Sequence, residues 1–267
     1  MKNISLCIPT MDRFDKFLSN ALDGYLKLLS DGIIQEIVIC DENGNDFDKI
    51  NEKYSDLIDN GVKMRVYKNT KVLGVFMNKL KVCKMANYEY IALIDSDNIV
   101  DAKYFEVARE YMDRVELPKY FIVSPSYGKS HIGMDFRKFS NSIIDKLNVK
   151  DFIVMTIDPN APGNIWHIDL VWNLDFISLL NMGNFILSKN IVHDVVFDKE
   201  IISKINYCDV MYLNSLVFKQ LEGFNFHIVD NLECEYSIHD DSLQMQYSNE
   251  CKGILWDYLV PYFRNEI

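Results

Sequence analysis

No apolar stretch in the sequence approaches the ~18 residues that a membrane-spanning helix needs. The opening apolar run, Ile4 to Ile8, stops at Pro9 and is too short for the core of a signal peptide. Cys-x-x-Cys is absent. The six cysteines (Cys7, Cys40, Cys83, Cys208, Cys234 and Cys251) are scattered, most of them inside apolar runs. This pattern argues against a zinc site or a disulfide framework and for buried thiols in a reducing compartment, the cytoplasm. Positive charge is in deficit: 28 Lys+Arg against 39 Asp+Glu leave a net charge of −11. Affinity for nucleic acid draws on clustered Lys and Arg, so the balance argues against DNA or RNA as the main partner. No Pro/Gly/Ser-rich linker and no repeat divides the 267 residues, and 49% of them are hydrophobic. The chain reads as one globular domain, residues 1–267.

Several catalytic signatures are missing as well. No strand is followed by Gly-x-Gly-x-x-Gly, which argues against a dinucleotide cofactor. Gly128-Lys129-Ser130 has the tail of a phosphate-binding loop, but Val123 stands where its first glycine would be. His-Glu-x-x-His and Gly-x-Ser-x-Gly do not occur, and the five histidines are dispersed.

What is present is an alternation of strands and helices. Ile4–Ile8, Ile37–Cys40, Met64–Tyr67, Tyr90–Ile94 and Phe121–Val123 read as strands. Between them lie apolar positions at helical spacing, such as Phe14, Leu18, Ala21, Leu22, Tyr25 and Leu29. This order predicts an α/β fold, with a mostly parallel central sheet and helices on both faces. Ligands of such sheets bind beyond the carboxyl ends of the strands. The segments to watch are therefore Pro9 to Arg13, Asp41-Glu42, Asn69 and Asp95 to Asn98. The second half is less regular. Ser126–His131 and Asp158–Asn164 read as loops, Gly183–Leu187 as a strand, Val210–Leu221 as a helix, Phe226–Val229 and Cys234–Ser237 as two short strands, and Ile254–Phe263 as a terminal helix.

Asp95-Ser96-Asp97 closes a nearly all-apolar strand. Residues two apart in an extended chain face the same side. Both carboxylates can then approach one cation, and an oxygen-only donor set suits Mg²⁺ or Mn²⁺. A polar turn at a strand end is the other reading of the same residues.

With these pieces in order, the sequence resembles the GT-A glycosyltransferases, and is most similar to their large family 2 of inverting enzymes. Ile4 to Arg13 resembles the family's opening strand and Pro-Thr-x-x-Arg turn, and Ile37 to Asp41 its second strand. Asn69, Gly74 and Asn78 resemble the segment before the metal strand, and Asp95-Ser96-Asp97 stands at the D-x-D position. The resemblance implies a nucleotide-sugar donor half, residues 1–125, with Pro9, Thr10, Asp12, Arg13, Asp41, Asn69, Asn78, Asp95 and Ser96 at the donor. It also implies an acceptor half, residues 126–267. Mn²⁺ or Mg²⁺ would be held by Asp95 and Asp97, with His239 either a further ligand or a structural histidine.

Met182-Gly183-Asn184-Phe185 resembles the strand near the acceptor, which implies contacts from Gly183 and Asn184. Asp209 stands at the position of the catalytic base, although Cys208 replaces the family's Glu before it. A helix N-cap is the other reading of Asp209. Trp166, with His167, Asp169 and Trp172, offers aromatic faces for an acceptor sugar or for core packing. Arg13 is either a diphosphate contact or a surface cation, and Lys79 and Lys81 are expected to be solvated.

The function implied is metal-dependent transfer of one sugar from a UDP- or GDP-sugar to an acceptor hydroxyl on a glycan, lipid-linked molecule or protein. Gln-x-x-Arg-Trp, the mark of processive synthases, is absent. The rival readings are a sugar-nucleotide-binding protein without turnover and a sugar-phosphate nucleotidylyltransferase.

Overall fold

The computed structural model of the chain describes residues 2–59, 63–129, 135–146, 183–202 and 209–237. Its centre is an eight-stranded sheet of order β3-β2-β1-β4-β7-β5-β8-β6. The strands are β1 (Ile4–Thr10), β2 (Glu36–Asp41), β3 (Met64–Lys68), β4 (Tyr90–Leu93), β5 (Phe121–Lys129), β6 (Ile143–Asp145), β7 (Phe185–Ser188) and β8 (Asn225–Glu235). β1 pairs in parallel with β2 and β4, β2 with β3, and β5 with β8. β7 runs antiparallel between β4 and β5, and β6 antiparallel at the β8 edge. The sheet is thus mixed, with a parallel first half as the sequence predicts.

Strand periodicity divides the core into two layers, because neighbouring side chains on a strand point to opposite faces. Cys7, Val38, Cys40, Ile91, Leu93 and Phe185 face one cluster. It is covered by α3 (Val75–Lys84), α5 (Lys189–Asp194) and α7 (Asp209–Gln220), with the short α6 (Lys199–Ile202) in between. Ile4, Leu6, Ile8, Ile37, Ile39 and Ala92 face the other cluster. There α1 (Ser19–Ser30), α2 (Asn45–Asp59) and α4 (Ala102–Arg114) pack. A five-residue π-helical turn, Phe14–Leu18, leads into α1. Asp101 caps α4, its carboxylate accepting from the Tyr104 N–H at 3.0 Å. Cys7, Cys40, Cys83 and Cys234 are buried free thiols. Among the described residues no helix is long and apolar enough to cross a membrane.

Two readings differ from the sequence expectation. Ser126 to Lys129 continues β5 instead of forming a loop, because β8 supplies partners out to Lys129↔Glu235. The two short strands expected around Phe226 and Cys234 are one strand, β8. Its interruption at Asp230-Asn231 is absorbed by a left-handed Asn231 (φ 58°) opposite an irregularity between Pro125 and Tyr127. The terminal helix expected at Ile254–Phe263 lies outside the described residues.

Strand order sets the location of the site. The chain moves outward from β1 to β2 and β3, then returns to place β4 on the other side of β1. The carboxyl ends of β1 and β4 therefore flank a topological switch point, where a crevice opens in α/β sheets.

Candidate active site

β4 ends at Leu93, and Asp95 to Asn98 form a turn closed by the Asn98 N–H donating to the Asp95 carbonyl at 3.0 Å. The two acidic residues are thus not on an extended strand, as the spacing argument assumed. Burial still alternates: Ser96 and Asn98 point inward, while Asp95 and Asp97 are half-buried. Asn184 holds the turn from the neighbouring β7. Its Oδ1 accepts from the Asp95 N–H at 3.1 Å and from Asn98 Nδ2 at 3.4 Å, and its carbonyl accepts from the Tyr104 hydroxyl at 2.6 Å. Asn184 is left-handed (φ 53°), a conformation that Asn tolerates better than most residues. Asn98 Oδ1 accepts from the Ser237 N–H at 2.9 Å, which brings the end of β8 to the same turn.

Lys79 on α3 reaches this turn. Its ammonium lies 2.6 Å from Asp95 Oδ1 and 2.7 Å from Asp209 Oδ2, the latter at the first residue of α7. Lys79 was expected to be solvated, yet only 9% of it is exposed. A small apolar cavity lined by Leu80, Cys83, Leu93, Val192, Val210 and Leu213 lies beneath Lys79 and Asp209. Burial works against the ammonium, but Asp209 and Asp95 outweigh it and hold the Lys79 pKa above its ordinary value. Burial raises the Asp95 pKa; the charges of Asp97 and Asp209 add to this, and Lys79 opposes it.

Gly183 lies alongside. A Cβ built there would sit 3.7 Å from Val210 Cγ2 and 3.9 Å from both Asp95 Oδ2 and the Tyr236 hydroxyl oxygen. That hydroxyl donates to the Gly183 carbonyl and accepts from its N–H, both at 3.1 Å.

The β1 side of the crevice is organised by carboxylates that serve the backbone. Asp46 accepts from the Thr10 hydroxyl at 2.6 Å and from the N–H groups of Arg13 (2.9 Å) and Phe14 (3.0 Å). Asp41 is fully buried, and its Oδ2 accepts from the N–H groups of Asp46 and Phe47, both at 2.8 Å, at the start of α2. Burial raises the Asp41 pKa; the Phe47 N–H pulls it down and the Asp46 charge pushes it up. Asp12 is exposed and left-handed (φ 57°), and it accepts from the side-chain amides of Asn43 (2.8 Å) and Asn45 (2.7 Å).

Glu42 accepts from Asn69 Nδ2 and the Leu73 N–H, both at 2.6 Å, and from the Gly74 N–H. Gly74 (φ 89°, ψ 154°) is in a region essentially reserved for glycine. Glu42 and Gly74 together fix where α3 begins, and hence where Lys79 points. Asn69 and Asn78 are buried and bonded to each other at 3.0 Å, and Asn78 Nδ2 donates to the Cys40 carbonyl at 3.0 Å.

The structure therefore brings Asp95, Asp209, Gly183 and Asn184 together around Lys79, with Asp97 on the same turn and Pro9 and Thr10 ending the adjacent strand. The side chains of Asp41, Asn69 and Asn78 are buried and engaged in holding loops. Ser96 is buried in the turn, and Arg13 stacks its guanidinium 5.7 Å from the Phe17 ring centroid. Trp166 and His239 lie outside the described residues, as do His167, Asp169, Trp172 and Cys208. Sequence reasoning marked Glu42 only as part of a strand-end segment, expected Lys79 to be solvated, and missed Asp46 and Tyr236. The signal for Asp46 was an acid in the first turn of α2, and nothing local marked Tyr236 or the burial of Lys79.

The donor set suits a divalent cation. Lys79 takes Asp95 Oδ1, while Oδ2 faces Gly183, and Asp95 and Asp97 offer hard carboxylate oxygens from one turn. Among the described residues, no three His, Cys, Asp or Glu gather as a complete metal site. Mg²⁺ bound by one or two carboxylates and completed by substrate phosphates needs no such trio.

Comparison with known proteins bears on the fold and the family. No curated protein matches the chain. Among solved structures, S. aureus TarS 1-349 in complex with UDP-GlcNAc superposes with a TM-score of 0.62 at 14% identity, covering 91% of this chain and 61% of that one. Mannosyltransferase PcManGT from Pyrobaculum calidifontis, in complex with GDP-Man and Mn²⁺, gives 0.61 at 12% identity, covering 99% and 65%. At such identities the likeness establishes the fold, and the chain spans less than two thirds of either neighbour's length. The model of Glycosyl transferase family 2 matches residues 5–158, more than half of the sequence, and the chain belongs to that family.

Proposed function

We propose that this chain transfers one sugar from a UDP- or GDP-sugar to an acceptor hydroxyl, with inversion and without processivity. The observation that carries this reading is the meeting of Asp95 and Asp209, from distant parts of the sequence, around Lys79 at the switch point of a family 2 fold. The two neighbours in complex with UDP-GlcNAc and with GDP-Man and Mn²⁺ support the donor class. Residues 1–125 serve as the donor half and residues 126–267 as the acceptor half.

Asp95 and Asp97 would hold Mn²⁺ or Mg²⁺, with His239 as a further ligand. The ion would offset the charge that develops on the leaving diphosphate. The loop after β1, from Pro9 to Arg13, borders the nucleotide, and Asp46 holds it in shape. Gly183 and Asn184 line the acceptor side. Asp209 accepts the acceptor's hydroxyl proton as that oxygen bonds to the anomeric carbon. The bond from that carbon to the diphosphate breaks with its electron pair, releasing a nucleoside diphosphate. A positioned base of this kind contributes ~10²–10⁴-fold.

The test is incubation with UDP-GlcNAc or GDP-mannose, with Mn²⁺ or with EDTA, following nucleoside diphosphate release and the anomeric configuration of any product by NMR. Mn²⁺-dependent release with an inverted product is expected. No release from any of a panel of UDP- and GDP-sugars, with or without an acceptor mixture, would overturn the reading.

A further inference from the structure

We infer that Lys79 is a built-in cation of the site: it positions the Asp209 carboxylate and shares Asp95 with any divalent ion that enters. The inference deepens the proposed function and rests on it for the identity of that ion.

The Lys79 ammonium pairs with two carboxylates delivered by the turn after β4 and the start of α7. Its side chain is 11% exposed and that of Asp209 is 13%. The other side chains lining the small cavity beside them are apolar and offer the charges no hydrogen-bond partner. Taking charges out of water costs free energy that well-packed hydrophobic side chains would not. Packing α3 against α7 therefore does not by itself call for an ammonium here. Without Lys79, Asp95 and Asp209 would confront each other as like charges in a mostly dry setting. With it, Asp209 is tied to the turn that carries Asp95 and Asp97. One positive charge against these three carboxylates leaves the cluster net negative, which still favours a divalent cation. Lys79 engages only Oδ1 of Asp95, so entry does not require its departure, although its charge opposes the incoming ion.

The sign of that last effect separates this role from a merely structural one. Removing a fold-supporting contact would loosen the site and weaken metal binding. Removing a resident positive charge should strengthen it. At an effective dielectric of ~20, a unit charge a few ångströms from a divalent ion acts with more than the free energy of a tenfold change in affinity.

The experiment uses the full chain without nucleotide and Mn²⁺ alone, titrated by calorimetry. Lys79→Gln is expected to bind Mn²⁺ at least about tenfold more tightly than wild type, and Lys79→Arg, which keeps the charge, about as wild type. Unchanged or weaker Mn²⁺ binding by Lys79→Gln would overturn the inference. A second arm needs no metal and so holds even if Mn²⁺ binds neither chain, an outcome that counts against the metal reading instead. In EDTA, Asp209→Asn is expected to raise the Tm of the Lys79→Gln chain, by relieving the exposed repulsion, and not that of wild type. Equal effects of Asp209→Asn in the two backgrounds would show that Lys79 does not link the carboxylates, and would overturn the inference.

Discussion

Substitution of Asp46 by Ala is the sharpest test of how the donor side of the crevice is built. The Asp46 carboxylate accepts from three donors at 2.6–3.0 Å: the Thr10 hydroxyl and the N–H groups of Arg13 and Phe14. Asp46 is 1% exposed and Thr10 is 3%, so water cannot easily replace the lost partner. Hydrogen bonds to charged groups are worth ~1.5–3 kcal/mol each, but donors that share one acceptor do not add fully. A net loss of about 3 kcal/mol follows. For a chain of this size, each kcal/mol moves Tm by roughly 2–4 °C, which gives a drop of about 6–12 °C. Asp46→Asn keeps one carbonyl acceptor and should lose about half as much. Because the loop it fixes borders the proposed nucleotide site, Asp46→Ala should also weaken UDP or GDP binding, measured by calorimetry at a temperature where the variant is folded. A loss below ~1 kcal/mol in urea denaturation, with nucleotide affinity unchanged, would refute the view that this carboxylate organises the loop.

His227, buried on β8 with its Nδ1 2.9 Å from the Tyr111 hydroxyl, has its pKa pushed down to about 4 by burial. The unfolded chain binds that proton near pH 6.5, so stability should rise with pH between about 4 and 6.5 and level off above. This group contributes up to about 3 kcal/mol, and His227→Gln should flatten that part of the profile in urea titrations. Gly183→Ala meets no atom closer than 3.7 Å and has no left-handed backbone to strain. Its Tm should stay within ~2 °C of wild type, while transfer falls because a methyl group intrudes beside Asp95. Asn184→Ala should cost about 2–3 kcal/mol, because it removes the acceptor of the Asp95 N–H and places Ala at φ 53°. Thermal unfolding of the purified variants checks both.

The first half of the fold was legible because each strand and helix there carries its own period. β1 and β2 are apolar on both faces, and the helices after them show one apolar stripe. The acidic rim was legible because Asp95 and Asp97 interrupt an apolar run. The extent of β5 and β8 was not. Gly128 and the Asp230-Asn231 pair look like chain breaks locally, and only the pairing of these two distant strands overrides them. Lys79 was misread for a related reason. Nothing in α3 marks a buried cation until β4 and α7 bring two carboxylates to it. The expected place of Asp41 at the donor came from the family resemblance alone. Position shows that a carboxylate ends β2, but not that the start of α2 will bond it.

The central claim is that Asp209 acts on the acceptor and not on the donor. The most direct test measures Asp209→Asn twice: donor affinity by calorimetry at saturating Mn²⁺, which offsets the weaker ion binding expected once one carboxylate of the cluster is lost, and single-turnover sugar transfer. If Asp209 is the base, donor binding is expected within about threefold of wild type and transfer reduced by at least ~10². Wild-type transfer by Asp209→Asn would contradict it.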